Sequence, residues 1–212
     1  MTHKSKKAAW QRGYNRIIKR VLDLFFSVIF LLVFWPLYLI LALLIKIDDP
    51  TGPALFQQDR IGRNGAIYKM YKFRTMFPDT EHTGSGAYSD GTDSRVTRMG
   101  RFLRATSLDE LPQLFNVIRG ECSLIGFRSP LTYHPWPWEQ YTEEQKKMFV
   151  MRPGLTGWAQ VHGRRTVEWN KRIAMNIWYS ENVSFFLDCK ILWLTIAAVF
   201  SGRDNENKGK TV

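Results

Sequence analysis

Apolar residues fill almost every position from Leu24 to Ile45, in the run LFFSVIFLLVFWPLYLILALLI. The run holds no charged residue, and Ser27 is its one clearly polar side chain. As a helix it would be roughly 33 Å long at about 1.5 Å per residue, enough to cross the hydrocarbon core of a bilayer. It is too long for the apolar part of a signal peptide and no small-residue cleavage site follows, so it is expected to stay in the mature protein. Pro36 stands near its middle, where proline removes a backbone hydrogen bond and clashes with the preceding turn. Both flanks are basic. Residues 1–20 carry Lys4, Lys6, Lys7, Arg12, Arg16, Lys19 and Arg20 with no acid, and the far side carries Lys46, Arg60, Arg63, Lys69, Lys72 and Arg74 against Asp48, Asp49 and Asp59. Basic flanks favour the cytoplasm. A kink or break is expected at Pro36, and a helix that enters, bends there and leaves on the same face satisfies both flanks. The pattern therefore predicts a re-entrant segment with both termini cytoplasmic.

Beyond Asp48-Asp49-Pro50-Thr51-Gly52-Pro53, a turn-rich exit, the period changes. Ala54–Arg60 and Ala66–Phe73 read as two short strands. Asn64-Gly65 between them predicts a hairpin, since a type I′ turn needs positive φ at both positions. Lys72 and Arg74 then share a strand face. Residues 77–94 are polar and aperiodic, either a lid or a surface excursion. Arg95, Arg98, Arg101 and Arg104 recur every third residue, a basic stripe that is either solvated or collects phosphate. Residues 130–141 alternate proline with aromatics, which excludes a regular helix. Trp136 and Trp138 there suit a lipid interface or the cover of a ligand. Arg152–Arg165 is punctuated by glycine around a short β-like centre, and Glu168–Tyr179 has helical spacing. Val183–Phe200 is apolar but interrupted by Asp188 and Lys190, and its clean stretch is too short to span. It predicts an amphipathic helix on the membrane or against the first segment. The expected fold is α+β: a mostly helical membrane-associated domain with a short β-hairpin, a proline-broken re-entrant helix and interfacial amphipathic helices. Its divisions are a basic arm 1–20, the membrane helix 21–47, a catalytic domain 48–201 and a polar tail 202–212.

The formal charge is +11. So basic a chain suits an anionic partner. Because the apolar run already holds it beside headgroups, anionic membrane lipid and phosphorylated substrate outrank nucleic acid, and no nucleic-acid partner is expected. Cys122 and Cys189 have neither metal nor disulfide spacing, and reduced thiols are the default.

Ser107-Leu108-Asp109-Glu110 matches a capping box, with Ser107 as N-cap and Glu110 at the third helical position. Acids in a first turn stabilise a helix without further function. The chemical reading rests on their surroundings. A helix N-terminus attracts phosphate, and Arg98, Arg101 and Arg104 lie just upstream. Neighbouring helical side chains point about 100° apart, so the two acids cannot address one atom alike. One carboxylate could attack phosphorus, and the other could hold Mg²⁺ together with substrate phosphates.

Several ordered motifs resemble one family. They are KRVLDL, FQQDRIGRNG, YKFRTM, RVTRMGRFLRATSLDELPQLFNVIRGECSLIG, RPGLTGWAQVHGR and NVSFFLDCKIL, covering nearly the whole chain. Together they are similar to the bacterial sugar transferases, the monotopic phosphoglycosyl transferases, in their minimal single-domain branch. The resemblance implies transfer of a sugar-1-phosphate from a UDP-sugar donor to polyprenyl (undecaprenyl) phosphate with release of UMP. That is the first membrane step of glycan or polysaccharide biosynthesis, at the bacterial plasma membrane with the catalytic domain cytoplasmic. It implies Asp109 as the nucleophile of a phosphosugar intermediate and Glu110 as the Mg²⁺ ligand, the two acids forming the metal and catalytic dyad. Lys72, Arg74, Arg104, Arg128 and Arg164 are implied as donor-site cations, and a helix break at Pro36. A homo-oligomer is open, as is the sugar. Three positions depart from the family pattern. Trp35 precedes Pro36 where serine is common, Gly126-Phe127-Arg128-Ser129-Pro130 replaces Gly-Pro-Arg-Pro, and His162 stands where asparagine is common. Two rivals remain: a general-base reaction in a ternary complex, and a non-enzymatic basic scaffold on anionic lipid. The scaffold explains the charge but not two acids among arginines.

Overall fold

A computed structural model describes residues 13–80, 93–162 and 168–200. A helical turn at Tyr14–Ile18, inside the segment expected to be an arm, leads into α1, Lys19–Asp48. This helix is long and apolar enough to cross a membrane. Its backbone stays helical through Pro36, so the expected break is not a break in the helix. One proline deletes a single rung and crowds the carbonyl of the preceding turn, and the apolar turns on either side keep their own hydrogen bonds.

Both arms of α1 are fastened to the same folded body. On the incoming arm Arg20 donates to the carbonyls of Val117 at 2.6 Å and Ile118 at 3.0 Å, and Asp23 accepts from the Leu124 amide at 3.0 Å. On the outgoing arm the Tyr38 hydroxyl donates to the Leu111 carbonyl at 2.9 Å. Leu41 and Ile45 bury against Phe73 and Leu103, and Asp48 accepts from the Met99 amide at 2.7 Å. Between the arms Phe25, Phe26, Leu32, Val33, Trp35 and Leu39 face outward.

Strands β1, Leu55–Ile61, and β2, Ile67–Phe73, pair antiparallel from Leu55↔Phe73 to Ile61↔Ile67. Asn64 and Gly65 both take positive φ, 54° and 83°, as their sequence predicts. The loop between the paired ends is nevertheless longer than two residues, running from 62 to 66. A Cβ at Gly65 would also stand 2.5 Å from the Trp138 ring, so glycine is required there by space as well as by φ. Helix α2, Arg98–Thr106, opens on Thr97, whose hydroxyl accepts from the Gly100 amide at 2.9 Å. Arg95 lies before it, buried and paired with Asp93, so the arginines do not form one stripe. Helix α3, Gln113–Arg119, is followed by β3, Ser123–Ile125. Then come α4, Glu143–Lys146, β4, Gly154–Thr156, α5, Trp158–Val161, α6, Trp169–Asn182, and α7, Phe185–Phe200. β3 and β4 are parallel neighbours, Ser123↔Gly154 and Ile125↔Thr156.

The largest core gathers Ile61, Ile125, Phe127, Phe149, Tyr179 and Ile191. Trp136 and Trp138 pack against it, Trp138 edge-on to Phe149 with centroids 5.0 Å apart. Both are half-buried, so each fills a wall of the core on one side. Their prolines prevent a helix while leaving the indoles free to fill space. Cys122 is buried, which pushes its thiol up to about 12, and Cys189 is exposed; both are free.

Helix α7 carries Phe186, Trp193 and Ile196 outward and Asp188 inward. Its apolar face is therefore the open one. Asp188 is buried and accepts from Lys19 at 2.5 Å, from Tyr14 at 2.8 Å and from Tyr179. This cluster joins the start of α1 to the last helix, which is why an acid interrupts an apolar run. Removing one partner of a buried pair strands the other charge. Asp188→Asn is therefore expected to cost about 3 kcal/mol, and Lys19→Met added to it to restore most of the loss. Denaturation of the detergent-solubilised chain checks this; a loss under about 1 kcal/mol would contradict it.

Candidate active site

Three pieces of backbone meet at one place. Lys72 lies near the end of β2, opposite Phe56. Arg128 follows β3 in the next loop. Between α2 and α3 the chain reverses at Ser107, in the left-handed conformation with φ 58°, and makes a 3₁₀ turn at Leu108–Glu110. Ser107 makes no side-chain cap, so the expected capping box does not form. The acids sit in a short turn between helices, not in the first turn of one, because Pro112 sets the start of α3 beyond them. Leu108 and Leu111 on this turn pack into the cluster around Leu41 and Ile45. The outgoing arm of α1 thus holds the turn from behind and leaves its carboxylates facing β2.

Lys72 Nζ lies 2.8 Å from Glu110 Oε1 and 3.6 Å from Asp109 Oδ2. Arg128 Nη2 lies 3.1 Å from the same Glu110 oxygen. Asp109 is buried, at 8 % exposure, and accepts no hydrogen bond among the described residues. The two acids therefore differ in kind. Burial raises the Asp109 carboxyl above its ordinary value, and the adjacent Glu110 charge adds to this, against the pull of Lys72, Arg104 and Arg128. Burial also pushes Glu110 upward, but the charges and hydrogen bonds of Lys72 and Arg128 outweigh it and hold that carboxyl well below the usual range. Glu110 in turn raises the Arg128 guanidinium.

Arg104 is placed within the field of Asp109, with Nε donating to Thr75 Oγ1 at 2.9 Å. Arg74 is not brought to the dyad. It is buried and spent on the Asp49 carboxylate and carbonyl, tying the end of β2 to the end of α1. Pro36 lies within α1, and Arg164 lies outside the described residues. The residue missed by sequence reasoning is Arg60, whose guanidinium feels both Glu110 and Arg128. Lys72, Arg104, Arg128 and Arg60 set four positive charges against two carboxylates, an excess of two. Such a site suits a phosphorylated anion.

The donor set also bears on Mg²⁺. No group of three or more His, Cys, Asp and Glu suited to a metal occurs among the described residues, which argues against an all-protein cage. Mg²⁺ is commonly held by one or two carboxylates and completed by substrate phosphates and water. Asp109, together with the Glu110 oxygen that Lys72 and Arg128 leave free, fits that mode.

Sequence comparison bears on the same residues. The profile described as Bacterial sugar transferase matches residues 14–202. The "Uncharacterized sugar transferase EpsL" of Bacillus subtilis is 40% identical over 183 residues, covering 86% of this chain and 87% of that protein. The "UDP-glucose:undecaprenyl-phosphate glucose-1-phosphate transferase" of Caulobacter vibrioides is 43% identical over 193 residues, 86% of this chain and 70% of its own length. The "Undecaprenyl-phosphate glucose phosphotransferase" of Komagataeibacter xylinus is 41% identical over 192 residues, and there the match spans only 36% of the longer protein. With the profile running from the first turn before α1 to the end of α7 and taking in the dyad, the chain belongs to the bacterial sugar transferase family.

Proposed function

We propose that the chain moves a sugar-1-phosphate from a UDP-sugar to polyprenyl phosphate and releases UMP. The observation that carries this reading is the buried Asp109 carboxylate, which accepts no hydrogen bond among the described residues, set among cations and backed directly by the long apolar helix. In the first step an Asp109 oxygen attacks the phosphorus that carries the sugar. A new P–O bond forms to the carboxylate, the bridging P–O bond of the diphosphate breaks, and its electron pair leaves on UMP. In the second step a phosphate oxygen of the lipid attacks the same phosphorus. The acyl phosphate bond breaks, Asp109 regains its negative charge, and a lipid diphosphate sugar departs. No net proton is needed in either step.

Lys72 and Arg128 neutralise the donor's diphosphate and keep Glu110 ionised beside it. The charge of Arg104 favours the ionised form of the attacking carboxylate. Mg²⁺ held by Glu110 and Asp109 with the donor's phosphates would supply further neutralisation of charge on the leaving UMP. The upward push on Asp109 also suits a general base, which keeps a one-step ternary-complex reaction as the second reading.

The same contacts support a membrane arrangement. With both arms of α1 bonded to one body, its exposed apolar middle and the open face of α7 enter the bilayer from one side. In this reading the helix is re-entrant while staying helical through Pro36. The basic flanks place that side in the cytoplasm.

Three outcomes are expected. Screening UDP-sugars with undecaprenyl phosphate yields UMP, and chelation stops release until Mg²⁺ is restored; release unchanged by chelation removes the metal. Labelled UMP exchanges into UDP-sugar without any lipid acceptor, and Asp109→Asn lowers that exchange by about 10³-fold or more. UMP release that requires the acceptor, with no exchange, favours the ternary complex. A Ser5→Cys chain reacts with an impermeant maleimide only after cells are opened, and labelling of intact cells contradicts the re-entrant topology.

A further inference from the structure

Arg60 is a half-buried cation without an acid of its own among the described residues. It stands at the end of β1, on the hairpin face that also bears Gln58 and, across the register, Lys72. Its Nη1 donates to the Ser129 carbonyl at 3.0 Å and its Nη2 to Gln58 Oε1 at 2.6 Å. Nε is buried and has no hydrogen-bond partner. No carboxylate lies within ion-pair distance of it among the described residues. Burial and the neighbouring Arg128 push the Arg60 guanidinium down to about 10. A charge held under those conditions costs stability that its hydrogen bonds to Ser129 and Gln58 only partly offset.

What it accomplishes is visible in the loop opposite. The stretch from Arg128 to Leu131 is stitched to the end of β1. Arg60 and Leu131 form an antiparallel bridge, the Ile61 amide donates to the Pro130 carbonyl at 3.1 Å, and Ser129 Oγ donates to the Ile61 carbonyl at 2.6 Å. The Arg60 guanidinium closes this seam on the residue next to Arg128. Arg128 itself is less enclosed than Lys72, its side chain 42% exposed against 16%, and Glu110 is its one bonded partner among the described residues. It is thus held from ahead by an acid and repelled from behind by a like charge.

We propose that Arg60 is a positioning residue for the phosphate site: by clamping Ser129 it aims the Arg128 guanidinium at Glu110 and at the diphosphate of a nucleotide-sugar. This rests on the donor assignment made above. A binding group misplaced by about 1 Å can cost up to 10²-fold, which is the scale on which such a clamp matters.

A double-mutant cycle on the full-length chain tests it, with UDP as the binding probe and UMP release as the activity. Arg60→Gln is expected to weaken UDP binding and kcat/KM by about tenfold in the wild-type background, and by less than about twofold when Arg128→Gln is already present. Ser129→Ala, which cuts the seam and leaves the Arg60 charge, is expected to show the same coupling to Arg128. Equal losses in both backgrounds overturn the proposal, since general damage to the fold multiplies through, and so does an Arg60→Gln chain that binds UDP normally. Wild-type chain that binds UDP but releases no UMP with any UDP-sugar defeats the transfer reading, and the clamp then stands or falls on the binding cycle. Wild-type chain that binds no UDP overturns both.

Discussion

One lysine sets the character of this site. Lys72 Nζ reaches Glu110 at 2.8 Å and Asp109 at 3.6 Å, and in doing so joins the hairpin to the turn between α2 and α3. Two adjacent carboxylates out of water would repel each other strongly, and one would take up a proton. Lys72 and Arg128 resolve this by concentrating on a single oxygen of Glu110. Glu110 is thereby fixed as the permanent anion. Asp109, one residue before it, has only the longer Lys72 contact and accepts no hydrogen bond among the described residues. Chemistry that needs one reactive carboxylate and one electrostatic anchor gets both from neighbouring positions in a three-residue turn.

The membrane helix serves the same end from the other side. Leu108 and Leu111, which flank the acids, are packed among Tyr38, Leu41 and Ile45 of α1. The carboxylates therefore cannot shift without disturbing the outgoing arm. That arm is fixed further by the Arg74–Asp49 pair and by Asp48 on the Met99 amide. The incoming arm is fixed by Arg20, Asp23 and the Lys19–Asp188 pair. A lipid-borne phosphate arriving along the bilayer surface would meet the dyad at a height set by these contacts.

Much of this was legible in the residues, and the failures have physical causes. The apolar run, the two strands and the positive φ at Asn64 and Gly65 followed from hydrophobic period and turn chemistry. Register did not. A two-residue turn at Asn64-Gly65 pairs Arg60 with Lys69 and puts it on the opposite face from Lys72. The five-residue loop shifts pairing by one, to Arg60↔Tyr68, and brings both cations to one face. The Ser-x-x-Glu pattern misled for a related reason. Lys72 and Arg128, distant in sequence, compete successfully for the Glu110 side chain that a capping box would use. The family resemblance implied Arg74 as a donor-site cation, but at the end of β2 it is turned to Asp49. Asp188 read as a flaw in an apolar helix because its partners, Tyr14, Lys19 and Tyr179, are only assembled by folding.

The central claim is that the Asp109 carboxylate, not the anchored one, forms the bond to phosphorus. Peptide mass mapping after brief incubation with UDP-sugar and Mg²⁺, without lipid acceptor, tests it most directly. The account predicts a sugar phosphate added to the peptide containing the dyad, with fragmentation placing it on Asp109, and its loss on adding undecaprenyl phosphate. An adduct on Glu110, or an unmodified protein under conditions where UMP is released, would contradict it.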